Sequence, residues 1–196
     1  AEFGLFGRGD AVNILKKNLC NIITSCSEDH LEWLPENDRN IERIIFEKTS
    51  SLLNSNIIIA KQTSKEITEC IKKNISNNKA NKYFFHEDYN FVLKENNFFY
   101  YEDKYGGLKI PKPSMNGQFQ LENASSAIAT LRVLENLRIN NEQIVNGVKN
   151  AYNSARLEEI RSGKLKNLIK NNTLILDSSH NPGGSKALNE YLQTLN

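Results

Sequence analysis

Two of the chain's three histidines follow an apolar run closely and stand near a carboxylate. In "LILDSSHNPGG", Leu174, Ile175 and Leu176 run into Asp177, then two serines, His180, Asn181, Pro182 and a glycine pair. In "LCNIITSCSEDH", Asp29 and His30 lie in the loop after a strand ending near Thr24. In open α/β sheets, ligands bind beyond the carboxyl ends of strands, where loops and helix N-termini converge. Gly183 and Gly184 would let a ligand approach the backbone near a helix start. Asp177 therefore reads either as part of an anion or nucleotide site or as a cap for the next helix. His180 reads either with it or as a surface side chain. An imidazole beside an acid at a strand end, as at His30, can ligate a divalent metal or bind phosphate; in a polar loop it can also simply be solvated. Lys48 in "IFEKTSS" reads by type as a surface lysine with its stem laid along the helix. The glycines of "GLFGRGD" suit a tight turn, but the Lys-Ser/Thr pair of a GxxxxGK[ST] phosphate loop is missing. A hydrolase built on Ser178 or Ser179 with His180 is disfavoured. Adjacent residues rarely orient as nucleophile and base, and no G-x-S-x-G turn is present.

The elements that would position these residues alternate in type. "LCNIITS" (19–25) and "SNIIIAK" (55–61) are apolar runs expected as buried strands. Between them, residues 39–53 place Ile41, Ile44, Ile45, Thr49 and Leu52 at helical spacing. A helix with Ile67, Cys70, Ile71 and Ile75 on one face follows the second strand. Residues 81–110 are aromatic and alternating, which predicts three short antiparallel strands. Residues 120–138 form a strong helix pattern, and 140–153 a weaker one with Asn140 or Asn141 as N-cap. Residues 154–172 read as a linker with one strand, "TLILD" as a further strand, and the last helix as starting near Gly184. Strands alternating with helices give an α/β class with a mostly parallel sheet. The expected boundary falls near Ser154, dividing the chain into 1–153 and 154–196.

Composition narrows the function classes. The formal net charge of +2 is spread over 25 basic and 23 acidic residues, which leaves no basic footprint for nucleic acid. Three cysteines, Cys20, Cys26 and Cys70, without a CxxC pair, read as free structural thiols of a reducing compartment. No apolar run approaches the ~20 residues that span a bilayer, and no leader pattern opens the chain. The expectation is a cytoplasmic monomer that engages neither membrane nor nucleic acid. The chain begins without Met and ends within an amphipathic pattern, which suggests part of a longer protein.

Four stretches, taken together and in order, resemble one family. They are "AEFGLFGRGDAVN", "ITSCSEDHLEWL…FEKTSSL", "GQFQLENASSAIATLRVL" and "ARLEEI…LILDSSHNP". They are similar to the folylpolyglutamate synthases and their bifunctional dihydrofolate synthase relatives, in the Mur ligase superfamily. The resemblance implies a central ATP-binding domain of P-loop type with a parallel sheet, here without its phosphate loop, in residues 1–153. It implies the start of a smaller Rossmann-like C-terminal domain in 154–196. It also implies the substrates: ATP, L-glutamate, and a folate or dihydropteroate. A substrate carboxylate would attack the γ-phosphate of ATP, and the acyl phosphate would be captured by the amino group of glutamate.

By position, the resemblance makes Glu2 and His30 ligands of Mg²⁺ and Lys48 the lysine that CO₂ carbamylates. Asn123, Arg156 and Asp177 become nucleotide contacts, with His180 in the same closing loop as a catalytic candidate. The family's Gly-x-His-Gln histidine is Phe119 here. The glycine before Arg156 is Ala155, a change compatible with negative φ. "EKAGI" is "EKTSS", "DGAH" is "DSSH", and Phe6 enters the glycine-rich loop. These departures leave two alternatives open: a Mur-type cell-wall amino-acid ligase, and a non-catalytic remnant of the fold.

Overall fold

The computed structural model describes residues 1–95 and 97–195; Asn96 in the aromatic segment and Asn196 at the end of the amphipathic pattern lie outside them. Three strands, β1 (Cys20–Ile23), β2 (Asn56–Ile59) and β3 (Lys82–Phe84), pair in parallel in the order β1-β2-β3. The central strand, "NIII", is buried on both faces. Ile57 and Ile59 pack with Ile23, Ile45 and Ile71, while Ile58 packs with Phe99, Tyr101 and Ile128 on the other side. A parallel strand covered on both faces must read as a continuous apolar run rather than an alternating one, and this one does.

Helices α1 (Ile41–Thr49) and α2 (Lys65–Asn74) cover one face. Each begins where a polar side chain accepts an orphan backbone N–H: Asn40 from Arg43, and Ser64 from Ile67. Helix α3 (Phe119–Val133) covers the other face and is followed by α4 (Asn141–Asn150). Asn140 caps α4 through a reciprocal pair with Gln143. The pattern expected to run to residue 138 stops at Val133, and Glu135–Leu137 tighten into a 3-10 turn ending at left-handed Arg138.

The aromatic segment differs from its expected three strands. The structure gives it four, and the first is β3, whose Tyr83 and Phe84 pair with Ile58 and Ile59 of the parallel sheet. The rest, β4 (Tyr89–Glu95), β5 (Phe98–Asp103) and β6 (Leu108–Pro111), form the antiparallel meander. No glycine or proline separates β3 from β4. The turn is made by His86, at φ 72°, whose N–H bonds Tyr89 O at 2.8 Å.

Beyond Ser154 the two-residue strands β7 (Glu158–Glu159) and β8 (Ile175–Leu176) pair antiparallel. Between them the expected linker contains a helix, α5 (Lys164–Ile169). Its "KLKNLI" sequence is rich in good helix formers, which the linker reading passed over. Helix α6 (Pro182–Gln193) begins two residues before Gly184, because Asn181 caps it and Pro182 takes its first turn. No helix among the described residues is long and apolar enough to cross a membrane.

Candidate active site

The loop that follows β1 and the loop that precedes α6 meet, although about 150 residues separate them. Asn181 Nδ2 donates to Asp29 Oδ2 at 2.8 Å, while Asn181 Oδ1 accepts from Gly184 N–H and caps α6. The contact is close: a Cβ built on Gly183 would lie 2.9 Å from Ser27 Oγ. A larger residue there would oblige the Ser27 side chain to shift. His30 Nε2 lies 3.6 Å and His180 Nε2 3.9 Å from Asp29 Oδ2, and the two rings are 6.3 Å apart between centroids. His30 holds a left-handed backbone, φ 55°, at the start of the 3-10 turn Leu31–Trp33. Its N–H bonds Asp29 Oδ1 at 3.0 Å. Both oxygens of Asp29 are therefore directed, one by its neighbour's backbone and one by Asn181.

Lys48 occupies the last turn of α1 and is half-buried. Its charge reaches the Cys26 thiol, which burial nevertheless pushes up to about 11. Beside it, Glu47 forms a buried anchor. Arg8 binds it in a fork, Nε to Oε2 at 2.9 Å and Nη2 to Oε1 at 2.8 Å. Arg43 reaches the same Oε1 at 2.7 Å. The bonds from Arg8, with both guanidinium charges, hold the Glu47 carboxyl below its ordinary value despite its desolvation. Gly7 seats the "GLFGRGD" loop on this helix end, since a Cβ there would meet the Glu47 and Lys48 carbonyl oxygens at 2.8 and 2.9 Å. The sequence reading gave Glu47 no role; the acidic residue directly before Lys48 was the available signal.

Four further residues singled out by the sequence are Glu2, Asp177, Arg156 and Asn123. Glu2 is exposed and lies outside the Asp29, His30 and His180 cluster. Asp177 follows β8 and spends both oxygens on its own chain: Oδ2 accepts Leu157 N–H and Oδ1 accepts Ser179 N–H, each at 2.8 Å. Desolvation raises its carboxyl, but bonds from Ser179 and Leu157 and the Arg156 charge outweigh that and hold it low. The helix cap considered for Asp177 is supplied by Asn181 instead. Arg156 is exposed. Asn123 is exposed on α3, pairs with Gln120 Oε1 at 3.1 Å, and borders an apolar hollow of about 270 Å³ between α3 and α4.

Two departures from the family pattern have structural consequences. Phe119 lies over Gly117, at φ +97°, where a Cβ would come within 2.5 Å of its ring and 2.8 Å of Leu157 Cδ1. An apolar contact thus stands where the pattern has an imidazole. The negative φ with which the change to Ala155 is compatible is not the one found: Ala155 sits at +55°, with Leu157 at +50°. The strain arises because Ala155 must aim its N–H at Glu158 Oε2 and its carbonyl oxygen at Ser178 N–H, both 2.9 Å away.

No protein-family profile and no curated protein matches the sequence. Solved structures do match the fold. E. coli FolC in complex with DHPP and ADP superposes with a TM-score of 0.81 at 25% identity, over 100% of this chain and 42% of its own. Folylpolyglutamate synthase from Thermotoga maritima gives 0.74 at 26% identity, over 98% of this chain and 42% of its own. Mycobacterium tuberculosis folylpolyglutamate synthase, complexed with ADP and AMPPCP, gives 0.80 at 22% identity, again over 98% and 42%. The chain thus spans less than half the length of each relative.

Proposed function

We propose that this chain, which has the folylpolyglutamate synthase fold, is the part of an ATP-dependent ligase where the nucleotide-binding and C-terminal portions face each other. The reaction joins L-glutamate to a folate, to dihydropteroate, or to both. A carboxylate oxygen of the acceptor attacks the γ-phosphorus of ATP and ADP leaves. The glutamate amine then attacks the acyl carbon, losing a proton as phosphate departs. Two anions must approach in the first step, so cationic groups must neutralise them, and the acyl phosphate must be kept from water. Mg²⁺ enters this reading with ATP.

One observation carries the proposal: the "DSSHNP" loop rests on the loop at the carboxyl end of β1, through Asn181 and Asp29 at 2.8 Å. In a parallel sheet that end is where ligands bind, and closure of one segment over another is how reactive intermediates are shielded. On this reading Lys48, carbamylated, supports the metal-bound nucleotide, and Glu2 and His30 serve the ion. Asn123, Arg156 and Asp177 hold the nucleotide, and His180 works in the closing loop. Residues 1–153 and 154–196 are then the two sides of the cleft, in a cytoplasmic monomer that needs neither membrane nor nucleic acid.

The test is ADP release by the protein that contains this chain. Sustained release over many turnovers is expected only when ATP, a folate or dihydropteroate, and glutamate are all present. Turnover with a nucleotide-sugar-linked peptide in place of the pterin substrate would move the protein to cell-wall synthesis. Absence of release under every combination would favour the non-catalytic reading, for which the packing of Phe119 on Gly117 is the supporting feature.

A further inference from the structure

The donor set around His30 does not fit Mg²⁺, which prefers six oxygens in near-ideal octahedral geometry. The groups that converge are two imidazole nitrogens and one carboxylate. One ligand atom from each of Asp29, His30 and His180 lies within 4.8 Å of the others. We propose that Asp29, His30 and His180 form a site for a borderline transition-metal ion, Zn²⁺ foremost, that ties the loop after β1 to the loop before α6. The inference rests on the ligase reading but departs from it at His30, giving that residue to a non-magnesium ion at the seam of the proposed cleft instead of to Mg²⁺.

The surrounding bonds are those a histidine metal site needs. His180 Nδ1 lies 2.9 Å from the Ser178 carbonyl oxygen. A carbonyl only accepts, so that bond puts the ring hydrogen on Nδ1 and leaves the Nε2 lone pair, which is the atom facing Asp29. A metal-bound imidazole typically donates its other N–H in this way, fixing tautomer and ring orientation. His30 also turns Nε2 toward the same Asp29 oxygen. Asn181 and the His30 N–H hold the carboxylate between them. Two imidazoles and a carboxylate with room for water or substrate match a catalytic or regulatory zinc site. His30, Asp29 and Asn181 are half-buried and His180 exposed, so an ion can enter and retain an open position.

The experiment is calorimetric titration of this chain with ZnCl₂ and, separately, MgCl₂, without ATP or folate. One Zn²⁺ is expected to bind, with no comparable binding of Mg²⁺. Asp29→Ala, His30→Ala and His180→Ala should each weaken Zn²⁺ at least about 100-fold, the upper range for losing even an outer partner. Asn181→Ser keeps a helix cap but loses the amide bond to Asp29, and should weaken binding about 10-fold. Circular dichroism melts of the metal-free variants exclude unfolding as the cause. Co²⁺ should show the visible bands of a low-coordinate site in the wild-type chain and lose them in His180→Ala. Absence of Zn²⁺ binding would overturn the proposal. So would binding that survives the three alanine variants but vanishes when Cys20, Cys26 and Cys70 are replaced. Failure here leaves the ADP-release test untouched, and a negative ADP-release test leaves Zn²⁺ binding measurable, so the two ideas fall separately.

Discussion

In strand β2, Ile57, Ile58 and Ile59 are 0, 0 and 1% exposed, whereas α6 contains no buried residue and Leu168 of α5 stands 77% exposed. The first region is held by apolar burial on both faces of a parallel sheet. The second is held by named polar contacts: Asp177 to Leu157 and Ser179, Asn116 to the Leu157 carbonyl, and Asn181 to Asp29. Leu157, 1% exposed, is the apolar exception beyond Ser154. Burial is nondirectional and fixes a scaffold; a few directional bonds fix an orientation and can be exchanged. That division suits a site in which one side must be rigid and the other must close.

Equal truncations in the two regions break or support this comparison most directly. Ile58→Ala truncates a fully buried side chain and leaves a cavity, and should cost about 3–4 kcal/mol of unfolding free energy in urea. Leu168→Ala should stay within about 0.5 kcal/mol, as exposed positions do. Similar losses at both sites would show that α5 carries a core of its own and that the contrast is wrong.

A smaller effect separates the regions by pH. Glu47 fastens the "GLFGRGD" loop to α1, and its carboxyl is held below the ordinary value of 4.5 by Arg8 and Arg43. A group whose folded value is depressed stabilises above its unfolded value, and that contribution disappears as pH falls through the folded one. Stability from this anchor is therefore full at neutral pH and lost progressively below pH 4.5. Glu47→Gln should lower neutral stability by about 1–2 kcal/mol, a charged hydrogen-bond magnitude reduced by the exposure of Arg8. It should also flatten the acid limb of the stability curve. An unchanged acid limb would place the acid sensitivity elsewhere, with Asp177 next in line because its carboxyl is depressed as well.

The sequence exposed the scaffold better than the seam. Runs such as "NIIIA" and the helical spacing of Ile67, Cys70 and Ile71 are direct consequences of two-sided and one-sided burial, so β2 and α2 emerge from pattern alone. Strand β3 was hidden because a left-handed histidine, not a glycine, makes the turn after it. Helix α5 was hidden because no apolar face is buried there to impose a period. At the site, Asp29 and His30 were visible as a pair at a strand end, and His180 as part of a loop. Their meeting depends on Asn181, whose placement before Pro182 marks a helix cap but says nothing of a partner 152 residues away. Glu2 entered through family resemblance, and no local pattern tied it to His30.

The smallest predicted effect changes sign between the two regions. Ala155 occupies a left-handed backbone, φ +55°, which an L-residue adopts at a cost of about 1–2 kcal/mol. Glycine there would remove that strain while adding about 0.4–1 kcal/mol of unfolded-state entropy. Ala155→Gly should therefore stabilise the chain by about 0.5 kcal/mol. Ala127 is exposed within α3, where the backbone is already helical. Ala127→Gly there should cost about 1 kcal/mol, because glycine brings the entropy without any strain to relieve. Urea midpoints for the two variants, at unchanged slope, decide the matter. A loss in both would mean that Ala155 rests in its left-handed conformation without strain. The glycine that the family pattern has at that position would then need another cause, the most direct being space for a ligand beside the Ala155 backbone.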